Sequence, residues 1–269
     1  MNPILQEKRF SPTGEQVIIQ DGECMTVKGA IVKTALLLVL LLVAAAFSWT
    51  VTYNSINPST PFYYLIGGVI GGFVLAMIIT FKPRLAPYLS PVYAAAEGLA
   101  LGCISAIYNQ QAIAHAQATG AGAVADPNGI SNIITGAILL TVITAFVMLL
   151  LYRTGTVKVD NRFNRIIKVA LVSILVFYLI GIVVSLFGGS GGRFYNLFFG
   201  NSILAIAINV IIVAVAAFSL MQDFDLIVKG SEMGAPKYME WYGAFGLMVT
   251  LVWLYLEILR LLSRIQSRN

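Results

Sequence analysis

Four carboxylates stand within or at the edge of long apolar runs: Glu97, Asp223, Asp225 and Glu257. A charged side chain in hydrocarbon costs about 3 kcal/mol or more, so such an acid has a limited set of roles. It binds or moves a proton or cation, it pairs with a base, or it marks the wet end of a helix. In the stretch FSLMQDFDLIVKG, residues 218–230, the two aspartates appear as an apolar run from Ile203 to Met221 ends. Asp225 has Lys229 four residues on, the spacing of an ion pair on a helix surface, and reads as a solvated helix end. Asp223 faces elsewhere. Asn209, Ala216 and Asp223 recur every seven residues, within about 20° per step on one face, and Ser219 lies four residues before Asp223. A polar face on a membrane helix points into the protein or a wet cavity, so Asp223 is a candidate functional acid.

Glu97 occurs in SPVYAAAEGLALGCISAIYN, some ten residues into its run and therefore roughly 15 Å deep. Desolvation disfavours a lone charge there, so this carboxylate should be protonated or paired. Two roles stay open, a buried hydrogen-bonding group and a member of a proton or cation pathway. Glu257 has Arg260 three residues later, which makes either a local ion pair or part of a site.

Enzyme chemistry finds little to work with. Intramembrane aspartyl proteases need an aspartate in a glycine-x-glycine-aspartate context, and none is present. GGSGG at 188–192 contains the glycine-x-serine-glycine pattern of rhomboid proteases, but no histidine follows to act as base, and a flexible loop explains it. His115 is the only histidine, which makes a zinc site improbable. Cys24 and Cys103 lie in different environments, against a disulfide. No P-loop or dinucleotide fingerprint occurs. The expectation is a non-enzyme without a cofactor, for which no resident metal ligand set can be named.

The elements that must position these acids follow from composition. The 269 residues are 58% hydrophobic and 11% charged, with mean hydropathy +0.85, whereas a soluble domain carries about a quarter charged residues. Seven runs near the ~20 residues a helix needs to cross a bilayer are legible, at about 31–53, 62–81, 88–113, 131–152, 166–187, 202–228 and 240–262. The expected fold is an all-α membrane protein, with residues 1–30 a cytoplasmic N-terminal tail and 31–269 a seven-helix membrane domain. The tail has several charges and no apolar core with a cleavage site, unlike a signal peptide.

Lysines and arginines gather before span one and after spans two, four and six, which places the N-terminus in the cytoplasm by the positive-inside rule. Arg260, Arg264 and Arg268 break the pattern at the far end of the seventh span. The net charge of +5 arises from the cytoplasmic loops and points to no nucleic acid. IGGVIGG offers Gly67/Gly71 and Gly68/Gly72 for close helix packing, and Trp49, Trp241 and many tyrosines suit interfacial anchoring.

Three stretches in order resemble one family. SLMQDFDLI resembles the end of the sixth helix in the Bax inhibitor family, including its bacterial YccA-like branch. LYLEILRLLSRI, residues 254–265, looks like that family's last-helix motif, and EGLALGCIS after YLSPVYAA looks like the opening of its third helix. The resemblance implies seven helices with the last central among the other six, and a pH-sensitive passive calcium leak channel in the bacterial inner membrane. It implies a pH-sensing acid pair, carried over by motif as Asp223 and Glu257, with glutamate replacing aspartate at the second position. It also implies a basic partner after helix two, Lys82 or Arg84. Calcium suits oxygen ligands such as these. The alternative is a regulatory membrane protein that binds a membrane protease or another membrane partner through its tail.

Overall fold

The computed structural model describes residues 24–54, 59–119, 132–157, 159–187, 200 and 202–267. Most of the expected tail, the loop near 120–131, GGSGG, Arg193, Arg268 and the side chain of His115 lie outside the described residues. The helices are α1 (Val27–Asn54), α2 (Thr60–Phe81), α3 (Ala86–Thr119), α4 (Asn132–Arg153), α5 (Asn161–Phe187), α6 (Ile203–Glu232) and α7 (Met239–Gln266). Among the described residues these seven are long and apolar enough to cross a membrane. Each expected span falls on one helix. Most helices run past the apolar stretch, because capping groups and polar residues carry the hydrogen-bond ladder beyond the hydrocarbon.

Local chemistry explains several of the ends. Asp160 accepts the Phe163 N–H at 2.7 Å and caps α5, and Ser202 accepts from the Ala205 N–H at 3.2 Å to cap α6. After α2, Pro83 opens a single 3-10 turn that leads into α3. Between α6 and α7 the chain reverses through Gly234, whose φ of +66° is unfavourable for any side-chain-bearing residue.

Helix contacts divide the chain into two compact units, one of Pro3–Gln110 and Asp223–Val249, the other of Gln111–Gln222 and Thr250–Asn269. In the first, glycines set the packing. A Cβ on Gly98 would strike the Leu41 carbonyl of α1, and one on Gly102 would strike Ser48 and the Ala45 carbonyl. A Cβ on Gly68 of α2 would lie 2.7 Å from the Ala96 carbonyl oxygen of α3. Gly67 and Gly71 would meet nothing within 4 Å. Only one of the two expected glycine pairs is therefore a packing seam, and α3 receives close neighbours from both α1 and α2.

In the second unit, Gly136 of α4 faces Leu262 of α7, and Phe163 of α5 meets Phe218 of α6 edge to face with centroids 6.0 Å apart. Over their most apolar stretches, 56% of residues are buried in α3 and in α7, against 11–39% in the other spans. These two are also the least hydropathic spans. A helix facing lipid must be apolar nearly all round, whereas an enclosed one can carry polar groups.

Candidate functional site

Glu257 lies on α7 and is 2% exposed. Arg260, three residues on, shares its helix face, and Nη1 of the guanidinium donates to both carboxylate oxygens at 3.0 Å. Tyr178 of α5 donates its hydroxyl to Oε1 at 2.5 Å, and Asn209 of α6 donates its side-chain amide to Oε2 at 2.9 Å. Arg260 also donates to the Tyr178 hydroxyl at 2.8 Å and stands 5.5 Å from the centre of its ring. One carboxylate thus ties three helices together within its unit. Close by on α7, the buried Arg264 donates to the Ala205 carbonyl in the first turn of α6 at 2.9 Å. Arg260 and Arg264 are both engaged in helix packing.

Asp223 belongs to the other unit and is fully buried near the end of α6. Tyr178, Asn209 and Arg260, which donate to the Glu257 carboxylate, are all of its own unit. Asp225 takes the role its spacing indicates, an ion pair with Lys229 at 2.8 Å.

Glu97 is half-buried on α3, where Tyr93, one turn earlier, hydrogen-bonds to it. The Tyr93 ring packs edge to face on Phe245 of α7, with centroids 4.9 Å apart. Gly72 of α2 faces the same carboxylate, since a Cβ there would come 2.9 Å from Oε2. Lys82 and Arg84, expected as basic partners, are both exposed, and neither forms an ion pair with a described residue. They sit where α2 has ended, and long charged side chains at a helix end extend to water.

EGLALGCIS lies on α3, SLMQDFDLI on α6 and LYLEILRLLSRI on α7. A family model described as Bax inhibitor 1 like matches residues 2–267. The chain belongs to the Bax inhibitor 1 like family. No curated protein and no solved structure matches it.

Two functional candidates of this Bax inhibitor 1 like protein escape a search for acids inside apolar runs. Tyr178 carries a hydroxyl in the middle of SILVFYLIGIVV, too far from either end of α5 for an interfacial anchor, and that depth is a readable signal. Glu240 stands at the very start of α7, where an acid looks like ordinary helix-end chemistry, yet it is fully buried. Its carboxylate accepts from Thr26 and Lys33 of the N-terminal segment. Among the described residues no three of histidine, cysteine, aspartate and glutamate come together as a metal centre requires.

Proposed function

We propose that this membrane protein conducts a cation passively, with calcium the cation it suits best, and that protonation of Asp223 controls the flow. The supporting observation is a fully buried aspartate near the end of a membrane-spanning helix. A charge in such a place is costly, so taking up a proton changes the local free energy of packing and couples pH to helix position. Glu97 is the second acid available to a passing cation. It lies on an enclosed helix, half-buried, beside a glycine that leaves its carboxylate room. Glu257 is assigned a different role on this reading. With four hydrogen bonds to its carboxylate it holds α5, α6 and α7 together, and the proton-sensing role falls to Asp223 alone.

The resemblance of the three motifs to bacterial pH-sensitive calcium leak channels agrees with this reading. We place the N-terminus in the cytoplasm and the protein in a bacterial inner membrane, from the lysine and arginine bias of the loops and from the YccA-like resemblance. No bond is made or broken in the transport step, so the protein acts without a catalytic residue or cofactor.

The test is calcium influx into liposomes holding the purified protein, at pH 6, 7 and 8, for the parent and Asp223→Asn. Flux in the parent should change with pH and the variant should lose that dependence. A parent-like profile in Asp223→Asn would reject the assignment.

A second reading, a regulator that binds a membrane protease or other membrane partner through its tail, is favoured by one observation. The segment from Cys24 onward is anchored on the α6–α7 connection. Removing residues 2–23 separates the readings, since a channel keeps its flux and a tail-dependent regulator loses its effect. The deletion has to stop there because Met25 is part of the buried core.

A further inference from the structure

The start of α1 and the start of α7 share one carboxylate. Cys24 pairs in antiparallel fashion with Pro236, and the Met25 N–H donates to the Ala235 carbonyl at 2.6 Å. Thr26, which caps α1 by accepting the Gly29 N–H at 3.0 Å, gives both its own N–H and its hydroxyl to Oε1 of Glu240, at 2.9 and 2.8 Å. Lys33, two turns into α1, forms an ion pair with Oε2, and its ammonium stands 5.5 Å from the centre of the Trp241 ring. Lys237 stands 3.6 Å from Oε1.

This is more than a chance surface pair. Glu240 is fully buried, and the carboxylate sits at the N-terminal ends of two helices, where the peptide dipoles of both favour negative charge. Gly29 completes the cradle, because a Cβ on it would fall on the carboxylate itself. Met25 plugs the same corner, with its methyl 3.5 Å from where a Cβ on Gly243 would stand. The hold is nevertheless short. It consists of one bridge, a few polar bonds and one buried methionine, and two of its charged members remain in reach of water, the Lys33 side chain at 18% exposure and the Lys237 side chain at 52%.

We propose that residues 24–33 form a strap that clamps the first turns of α7 through Glu240, so that whatever draws on the N-terminal tail loosens α7. The strap couples tail and helix whether or not the protein conducts ions. The sequence supplies its own reporter, because Cys24 is partly exposed beside Pro236 whereas Cys103 is fully buried.

The experiment uses the full chain in lipid nanodiscs and two readouts. The first is the rate at which a fluorescent maleimide labels Cys24. The second is backbone hydrogen exchange over residues 24–33 and 236–245. Glu240→Gln should speed Cys24 labelling about tenfold or more, the effect of losing a charge-assisted bond to a buried group, and should raise exchange in both segments together. Thr26→Val removes the hydroxyl's bond to Oε1 and the cap it gives the Gly29 N–H, but leaves the Lys33 ion pair and the Thr26 N–H bond, so it should shift both readouts in the same direction by less, which keeps the test open if Glu240→Gln fails to fold.

Cys24 labelling within twofold of the parent in both Glu240→Gln and Thr26→Val would overturn the strap. Faster labelling with unchanged exchange over 236–245 would also overturn it, because nothing would then pass to α7. Calcium flux measured on the same samples tells apart a failure of the leak reading, which leaves the labelling result standing.

Discussion

Replacing Arg260 by methionine strips the Glu257 carboxylate of two of its four hydrogen bonds and of its counter-charge. The acid stays buried with a side-chain exposure of 3%, and only Tyr178 and Asn209 remain to hold it. Breaking a buried ion pair by removing one partner costs about 3–5 kcal/mol. The lower end applies here, about 3 kcal/mol, because the Arg260 side chain is 33% exposed and the pair is not fully enclosed by protein. Glu257→Gln in the same background removes the stranded charge while keeping the Asn209 and Tyr178 contacts sterically possible. The double variant should therefore lie only about 1 kcal/mol below the parent, recovering some 2 kcal/mol. Reversible unfolding in mixed detergent micelles, titrated with a denaturing detergent and followed by tryptophan fluorescence, measures all three differences. Additive losses, or a double variant as unstable as Arg260→Met alone, would refute the view that the cost comes from an uncompensated buried charge.

Three other outcomes follow from the geometry. Gly68→Ala should destabilise by about 1–3 kcal/mol in the same unfolding assay, since its Cβ meets a backbone oxygen, whereas Gly71→Ala should stay within about 0.5 kcal/mol. Gly72→Ala presses on the movable end of Glu97, so it should alter calcium flux in liposomes while losing less stability than Gly68→Ala. Asp225→Asn weakens the i,i+4 pair with Lys229, and should leave both the pH profile of flux and, within about 0.5 kcal/mol, the unfolding free energy unchanged.

The fold was legible because the physics of crossing a bilayer is one-dimensional. Each apolar run maps to a helix, whereas the enclosure of α3 became visible only from its burial. Pairing was less legible. Glu257 and Arg260 advertise their contact by spacing along one helix, but the partners Tyr178 and Asn209 come from two other helices, and no local pattern encodes that register. Glu240 was missed because an acid in the first turn of a helix is common, and its burial depends on Thr26 and Lys33, more than 200 residues earlier in the chain. The glycine runs were ambiguous for a related reason: IGGVIGG contains two equally spaced pairs, and only the position of α3 distinguishes them.

The enclosure of α7 has a consequence for how the protein is made. Its span is less hydropathic than all but α3, and it is the last to be synthesised of the seven. Until it enters the membrane, Lys33 lacks Glu240 and Tyr178 lacks Glu257, so earlier helices wait with polar groups that only the final segment can satisfy. A chain halted before Met239 therefore leaves Lys33 and Tyr178 without these carboxylate partners, at the cost that polar groups carry inside a membrane.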